Sequence, residues 1–573
     1  MLNIIKKQLI KGVSGKFLSG ELTAIMGPSG AGKTTLLNIL TGMQVEYTSG
    51  SIKCNSFREN GALQYKKDSC YILQEDNLPS LFTVVEIMNI AADLKLKNIS
   101  EKAKSFLIED VLDNLGLTVC KKTKCQHLSG GQRKRLSVAL ELINNPPIMF
   151  LDEPTTGLDS SASSQCIQML KNLAIGGRTI ICTIHQPNAI IYEMFDHIYV
   201  LAQGHCVYQG SSTNSLPYLS SLGFNCPQYH NPADYLLEVI NGDYGNHINL
   251  LKDAAEDQKW RKAVPKIAFV KEEITPVHQN SIYNIEQRDK LYEPPSEMTR
   301  FWILLYRYRI QLVRDWTISQ LKLLLHILVG IFLGFTFEYC GKDASKVHAN
   351  LGFLLACIVY LSYTSTMPAV LKFPSELAML KKERFNNWYK LKTYFAAFLV
   401  SDIPIQASFT VVYTVTSYFI SSQPAEWRRF IMVLVILTLV GLASSSLGLV
   451  VGTLVNPING TFFGAITIAV MISGSGFLIL FPHMPKLLYP ITYMSFMSFA
   501  LEGLMQAVYG YNRGPLECPE ESDYCHYRYP EMLLRDVGME RRNYWIDVGY
   551  IFTFFVVFRI LAFFTLRRKL SKA

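Results

Sequence analysis

Residues 22–40 read Leu22-Thr23-Ala24-Ile25-Met26-Gly27-Pro28-Ser29-Gly30-Ala31-Gly32-Lys33-Thr34-Thr35-Leu36-Leu37-Asn38-Ile39-Leu40, and they decide the fold of the first half of the chain. Leu22–Met26 predicts a short strand and Thr35–Leu40 a helix, so the residues between them sit where an α/β sheet turns from strand to helix. Gly27–Thr34 meets the phosphate-loop pattern in full. The chemistry needs that context: glycines let backbone N–H groups close around phosphate oxygens, and the helix N-terminus adds positive potential. Gly27, Pro28, Ser29, Gly30, Ala31, Gly32, Lys33, Thr34 and Thr35 are therefore candidate nucleotide-binding residues. Lys33 would neutralise β/γ-phosphate charge, and the Thr34 hydroxyl is placed to ligate Mg2+.

Working outward, Ile148-Met149-Phe150-Leu151-Asp152-Glu153 is an apolar strand ending in two acids. Burial explains the first four residues. Two carboxylates at the C-terminal end, where parallel sheets bind ligands, call for chemistry. Asp152 is expected to hold Mg2+ directly or through water, and Glu153 to polarise an attacking water. A third stretch, Leu128-Ser129-Gly130-Gly131-Gln132 followed by Arg133-Lys134-Arg135, reads on its own as an N-cap and turn before a helix.

Placed after a phosphate loop and 23 residues before Asp152, Leu128–Gln132 resembles the signature motif of ATP-binding cassette transporters. The resemblance implies roles for further residues. Gln74, in Tyr71-Ile72-Leu73-Gln74-Glu75-Asp76, matches the Q-loop, which couples the Mg2+ site to the membrane domain. Gly157-Leu158-Asp159 matches the D-loop, and His185, after Ile180-Ile181-Cys182-Thr183-Ile184, the switch histidine. Ser129, Gly130, Gly131, Gln132 and Asp159 thereby join the nucleotide-binding set. Thr34, Gln74 and Asp152 form the metal set, and Glu153, His185 and Gln74 the catalytic one. The cofactors implied are ATP and Mg2+.

Composition separates the chain into two unlike halves. Of its 573 residues 49% are hydrophobic and only 18% charged, which excludes disorder and is charge-poor for a soluble enzyme. The surplus of 55 Lys+Arg over 46 Asp+Glu gives no nucleic-acid signature. The apolar surplus lies late. Leu351–Leu371 carries no charge over 21 residues, enough to cross a ~30 Å hydrocarbon layer. Ile403–Ala425 is another such run, and Phe430–Pro485 is long enough for two, with a break at Asn456-Pro457. Leu323–Phe337 extends to a span if Lys322 and Glu338 snorkel, and Val548–Leu566 is the last, with Arg559 inside it. Six spans are expected. Lys372, Lys381, Lys382, Arg384, Lys390 and Lys392, with the basic tail from Arg567, place the first domain and the C-terminus on the cytosolic side. Arg428 and Arg429 run mildly against that orientation. Cys518 and Cys525 then face an oxidising compartment, as a disulfide or as two free thiols.

Cassette first and membrane domain second is similar to the G subfamily, the white/eye-pigment and sterol-exporter group, and closest to its sterol- or lipid-exporting branch. Thr183-Ile184-His185-Gln186-Pro187, Asn231-Pro232-Ala233-Asp234-Tyr235 and Glu383-Arg384-Phe385-Asn386-Asn387-Trp388-Tyr389 support that likeness. The expected architecture is an α/β P-loop cassette over 1–242, a linker over 243–295 and a connecting interfacial helix over 296–318. An all-α transmembrane domain follows over 319–573, with an external loop at 482–545. Such a chain is half a transporter, working as a homodimer or with another half of the same group. Ser129 and Gly131 should face the partner's γ-phosphate. The second and fifth spans, about Leu351–Leu371 and Thr461–Phe481, offer Tyr360, Tyr363, Phe462, Phe463 and Ile466 as apolar lining suited to a neutral lipophile. One departure stands out: cassettes place an adenine-stacking aromatic upstream of the phosphate loop, and Met1–Lys16 holds none. Either the start is shortened or adenine is held otherwise. Two other functions remain open, a heterodimer subunit for pigment precursors or another small lipophile, and an ATP-gated membrane regulator without transport.

Overall fold

Apolar strands buried on both faces give the first half of the chain its sheet. In the computed structural model, which describes residues 8–43, 48–54, 68–97, 99–245, 247–257, 293–518, 525–540 and 543–572, six strands form one sheet. They are β1 (Leu22–Met26), β2 (Ser69–Ile72), β3 (Ile148–Leu151), β4 (Thr179–Thr183), β5 (His197–Ala202) and β6 (His205–Gly210), in the order β2-β3-β4-β1-β5-β6. The first five run parallel and only β6 is antiparallel, reached by the tight turn at Gln203-Gly204. Every residue of β1 is buried, as are all but the first of β3 and β4, as expected for strands covered by helices on both sides.

The parallel arrangement brings the carboxyl ends of β1, β2, β3 and β4 to one edge of the sheet, where α/β proteins bind ligands. Around the sheet lie α1 (Lys33–Thr41), α2 (Val84–Lys95), α3 (Glu101–Asn114), α4 (Gly130–Leu142), α5 (Ser160–Ile175) and α6 (Pro232–Asn241). Several carry their own start signals. Thr83 and Ser129 close capping boxes with Glu86 and Gln132, and Asn231 caps α6 ahead of Pro232. The expected cassette limit at residue 242 falls short. A further helix, Ile248–Glu256, buries Leu251 and Ala254, and the Tyr218 hydroxyl donates to the Leu251 carbonyl at 3.4 Å. Most of the expected linker, 258–292, lies outside the described residues.

Two compact units divide the chain: Met1–Ile303 with Met379–Lys390, and Leu304–Ala378 with Leu391–Ala573. The first thus includes a short return segment from the far half of the sequence. The second is helical. Its elements are α7 (Glu297–Arg314, which begins in the first unit), α8 (Trp316–Thr336), α9 (Val347–Phe385), α10 (Leu391–Ile420), α11 (Trp427–Leu454), α12 (Pro457–Ser473), α13 (Phe496–Tyr509) and α14 (Tyr544–Lys572). Among the described residues, five helices are long and apolar enough to cross a membrane, against the six expected. The shortfall is α12, whose 17 residues rise only about 26 Å. It stops at Gly474, and the left-handed Gly476 that follows lies against the Phe481 ring. The region expected to be external loop contains α13, a helix whose every residue is buried. Cys518 and Cys525 are disulfide-bonded, with Cα atoms 6.1 Å apart.

Arg559, the charge inside the last expected span, is buried, pairs with Asp402, and lies over the Phe398 and Phe555 rings. Asp402 also accepts from Ser445 (3.3 Å) and Gln406 (3.3 Å), so the charges inside these helices are paired and hydrogen-bonded. Elsewhere, close helix approach rests on small residues. In Gly330-Ile331-Phe332-Leu333-Gly334, a Cβ at Gly330 would overlap the Thr416 hydroxyl, and one at Gly334 would sit 2.6 Å from Ile420 Cβ. A side chain at Gly334 must push α8 from α10. Gly334→Val is therefore expected to destabilise the detergent-solubilised protein by about 1–3 kcal/mol, read as a lower unfolding midpoint and loss of the monodisperse chromatographic peak. Gly549→Ala, where the added methyl meets open space, should leave both unchanged.

Candidate nucleotide site

Sterics dictate the phosphate loop. Gly27, Gly30 and Gly32 all have positive φ, and a Cβ on Gly27 would overlap the Leu201 carbonyl, so only glycine fits there. Lys33 is buried and donates from Nζ to the Gly27 (2.7 Å) and Pro28 (3.2 Å) carbonyls, which holds its ammonium inside the curve of the loop. Burial pulls its pKa below the ordinary lysine range, and the nearby Glu153 and Asp152 oppose that pull. Gly32 caps α1 through its backbone alone, leaving the first turn's N–H groups free for an anion.

Asp152 lies at the centre of the strand ends. Its Oδ1 accepts from Thr183 (2.6 Å) and Thr34 (3.5 Å), and its Oδ2 from the Tyr71 hydroxyl (3.4 Å). These donors come from β4, α1 and β2, and β3 supplies the acid's own position through Asp152 N–H to the Ile72 carbonyl (2.9 Å). Burial pushes the Asp152 carboxyl up, and the adjacent Glu153 adds to this against the bonds from Thr183, Tyr71 and Thr34. A buried carboxylate with a raised pKa beside a threonine hydroxyl and the phosphate loop is a donor set that fits a hard divalent cation. Tyr71 is held as a neutral phenol, since burial first and Asp152 second push its pKa well up.

Glu153 adopts φ of 43°, a left-handed conformation uncommon for a residue with a Cβ. Its N–H donates to Thr183 Oγ1 (2.9 Å), and its Oε2 accepts from Gln74 (2.9 Å) and Thr156 (2.8 Å). Gln74 thus turns its amide N–H to Glu153, not to Asp152. Lys33, Thr34, Gln74, Asp152 and Glu153 are brought together. Among the described residues, the expected signature, D-loop and switch residues are not hydrogen-bonded to them. Ser129 and Gln132 close a capping box on one another, Asp159 caps α5 by accepting from Ala162 N–H (3.3 Å), and His185 stands exposed beyond β4. Gly130 and Gly131 pack against Leu158 and Ala162, so the signature loop rests on the D-loop and α5. Sequence reasoning missed Thr183 and Tyr71, ordinary strand residues that only the sheet register brings to Asp152.

Of the expected lining residues, Phe462, Phe463 and Ile466 are exposed along α12 and Tyr363 is 37% exposed. Tyr360 is partly buried: its ring stacks on Tyr413 at 4.8 Å and its hydroxyl lies 3.4 Å from His326 Nδ1.

Comparison with known proteins agrees with this geometry. The ABC transporter family matches residues 10–156, and the ABC-2 type transporter family matches 299–509, with a second ABC-2 type match at 185–259. The chain belongs to the ABC transporters. ABC transporter G family member 7 of Arabidopsis thaliana is 32% identical over 78% of this chain, which spans 63% of that relative's length. ABC transporter G family member 1 of Dictyostelium discoideum is 27% identical over 99% of the chain and 82% of its own. G family member 14 of Arabidopsis thaliana is 28% identical over 98% and 88%. This ABC transporter is thus a G-family half-transporter, with the ATP-binding cassette first and ATPase activity coupled to membrane transport.

Thr183 holds both acids of the ABC transporter's cassette, donating to Asp152 and accepting from the Glu153 backbone. Thr183→Val keeps the shape and removes both bonds. It is expected to cost about 1–3 kcal/mol in cassette stability and to lower ATP hydrolysis by about tenfold or more, since misplacing a catalytic group by 1.4 kcal/mol is already tenfold. Thr183→Ser should restore most of the rate in a steady-state phosphate-release assay.

Proposed function

We propose that this half-transporter dimerises and uses Mg2+-ATP to export a neutral lipophile, sterol- or lipid-like, across a membrane. The observation that carries the dimer is that, among the described residues, no hydrogen bond joins the signature to its own chain's phosphate loop. Ser129 is exposed, and among the described residues its side chain bonds the N–H of Gln132 alone. A second copy, related by a two-fold axis, would set each signature against the other's phosphate loop. Lys33 and the α1 N-terminus would bind the β- and γ-phosphates, and Ser129, Gly130, Gly131 and Gln132 of the opposite chain would close over the γ-phosphate. Thr34 and Asp152, with Gln74 at the rim, would hold Mg2+. When bound, that ion neutralises phosphate charge and orients the chain for in-line attack. Glu153 orients and deprotonates the attacking water, Gln74 keeps Glu153 aimed, and His185 reaches the γ-phosphate as the dimer closes.

The substrate reading rests on α12. Ile458, Phe462, Phe463, Ile466 and Val470 are all more than half exposed, and no acid or base lies within the helix. A surface of that chemistry suits a lipophile more than an ion. The cassette and C-terminus lie in the cytosol in this reading. The 18-residue helix α7, whose exposed residues include Met298, Trp302, Tyr306 and Val313, lies on that membrane face. The disulfide at Cys518 and Cys525 lies on the opposite side.

Two measurements on reconstituted protein test the proposal. Glu153→Gln should lower lipid-stimulated ATPase by at least about 100-fold, as loss of a general base does, and abolish flux of a fluorescent sterol. Co-expression of Lys33→Ala with Ser129→Arg, each inactive alone, should restore about half the rate per mixed dimer, because one composite site is intact. If mixing restores nothing while each variant still folds and associates, the shared-site dimer is wrong. If no lipid in a panel stimulates the wild type, the substrate class is wrong.

A further inference from the structure

The return segment Met379–Lys390 is part of the cassette's compact unit although the chain on either side of it, Leu304–Ala378 and Leu391 onward, forms the helical unit. Its attachment is specific. The Asn386 side chain accepts from Tyr71 N–H (2.9 Å) and donates to the Tyr71 carbonyl (3.0 Å). That is the pattern a neighbouring strand would supply, applied to one residue of β2, the sheet's edge strand. Phe385 sets its ring edge-on to Tyr71 at 5.7 Å and packs on the core around α1. Lys382 donates to the Asp76 carbonyl (3.3 Å) and Ser137 (3.2 Å), and the Trp388 indole N–H to Glu141 (3.2 Å). The segment therefore grips β2 at one residue and α4 at two.

Tyr71 is the residue gripped, at its backbone by Asn386 and at its ring by Phe385, and its hydroxyl reaches beyond them. The phenol crosses to Asp152 Oδ2 (3.4 Å) and the Asn38 side chain (3.0 Å) on α1. We propose that Tyr71 is a positioning residue through which the segment Met379–Lys390 sets the place of the Asp152 carboxylate. Asn386 fixes the Tyr71 backbone, and the Tyr71 hydroxyl fixes the acid. Because α9 and α10 run directly into this segment, any shift of their ends is delivered to the cation-binding carboxylate by two hydrogen-bonded steps. The proposal rests on the Mg2+-ATP reading above and adds the residue pair by which the membrane half can regulate it.

Full-length protein carrying Glu153→Gln, to prevent turnover, provides a binding readout. A fluorescent ATP analogue is titrated with and without Mg2+ in four backgrounds: parent, Tyr71→Phe, Asn386→Ala and the double variant. Tyr71→Phe keeps the ring on Phe385 and loses only the hydroxyl. It is expected to raise the Mg2+ concentration at half-effect about five- to tenfold and leave metal-free nucleotide affinity unchanged. Asn386→Ala should move the Mg2+ dependence in the same direction, and the double variant should match Tyr71→Phe, because residues acting in series do not add. Asn386→Asp, which keeps the acceptor for Tyr71 N–H, should fall between parent and Asn386→Ala. A Mg2+ dependence unchanged by Tyr71→Phe overturns the inference, as do additive effects in the double variant or an equal loss of metal-free binding. A parent that binds nucleotide indifferently to Mg2+ overturns the Mg2+-ATP reading itself, and this inference with it.

Discussion

A carboxylate buried at the end of a β-strand must be surrounded by donors, and the cassette is arranged around Asp152 in that sense. Its two oxygens take bonds from Thr183, Thr34 and Tyr71, so β4, α1 and β2 are each tied to the residue that ends β3. The sheet order makes this possible. β3 lies between β2 and β4, and the register pairing Leu151 with both Ile72 and Cys182 sets Thr183 level with Asp152. A slip of one residue in either pairing would turn the threonine or the tyrosine to the other face of the sheet. The left-handed Glu153 depends on the same anchor, because the hydroxyl that donates to Asp152 also accepts its N–H. Strain at that backbone persists because several strands determine it.

The helical unit meets a different constraint with different means. Its helices are apolar on most faces, so hydrophobicity alone does not say which faces meet. Contact is chosen by residues that allow close approach or that require a partner. Gly330 and Gly334 bring α8 onto α10, and Gly448 does the same for α11 against Thr366 of α9. Asp402 and Arg559 fix α10 to α14, since neither charge is tolerable there without the other. Asn350, Gln423 and Tyr509 join α9, the end of α10 and α13 through bonds of 2.6 and 2.7 Å.

What was legible in the sequence follows from where residue type is forced by local geometry. Gly27 must be glycine because the Leu201 carbonyl occupies the space of a side chain, and Lys33 and Thr34 follow at fixed spacing, so the loop could be read directly. The acids after β3 were legible because an apolar strand ending in two carboxylates has few other uses. Thr183, Tyr71 and Asn386 were not. The first two look like ordinary strand residues, and their partners are 31 and 81 positions away. Asn386 meets Tyr71 across 315 positions. In the helical half, uncharged runs located the long helices but misjudged two features. Asp402 falls inside α10 because its charge is matched by an arginine on another helix, which a one-dimensional scan reads as a boundary. α13 falls within the expected external loop at 482–545, yet every one of its 14 residues, Glu502 included, is buried.

The same distinction separates two groups among the residues expected to handle ATP. Lys33, Thr34, Gln74, Asp152 and Glu153 converge within one chain because strand register and the phosphate loop oblige them to. Ser129, Asp159 and His185 sit on three separate surface turns, and the first two spend their side chains on capping helices. A capping serine needs no second glycine after it, yet Gly130 and Gly131 both follow, each with a Cβ position only 3.2 Å from a side chain of the D-loop or α5. Packing therefore accounts for the glycines, of which Gly131 is buried, and capping for the serine, which itself stands exposed. With Ser129 capping the N–H of Gln132 and no acidic residue in the first turn of α4, the positive end of that helix dipole carries no compensating charge of its own.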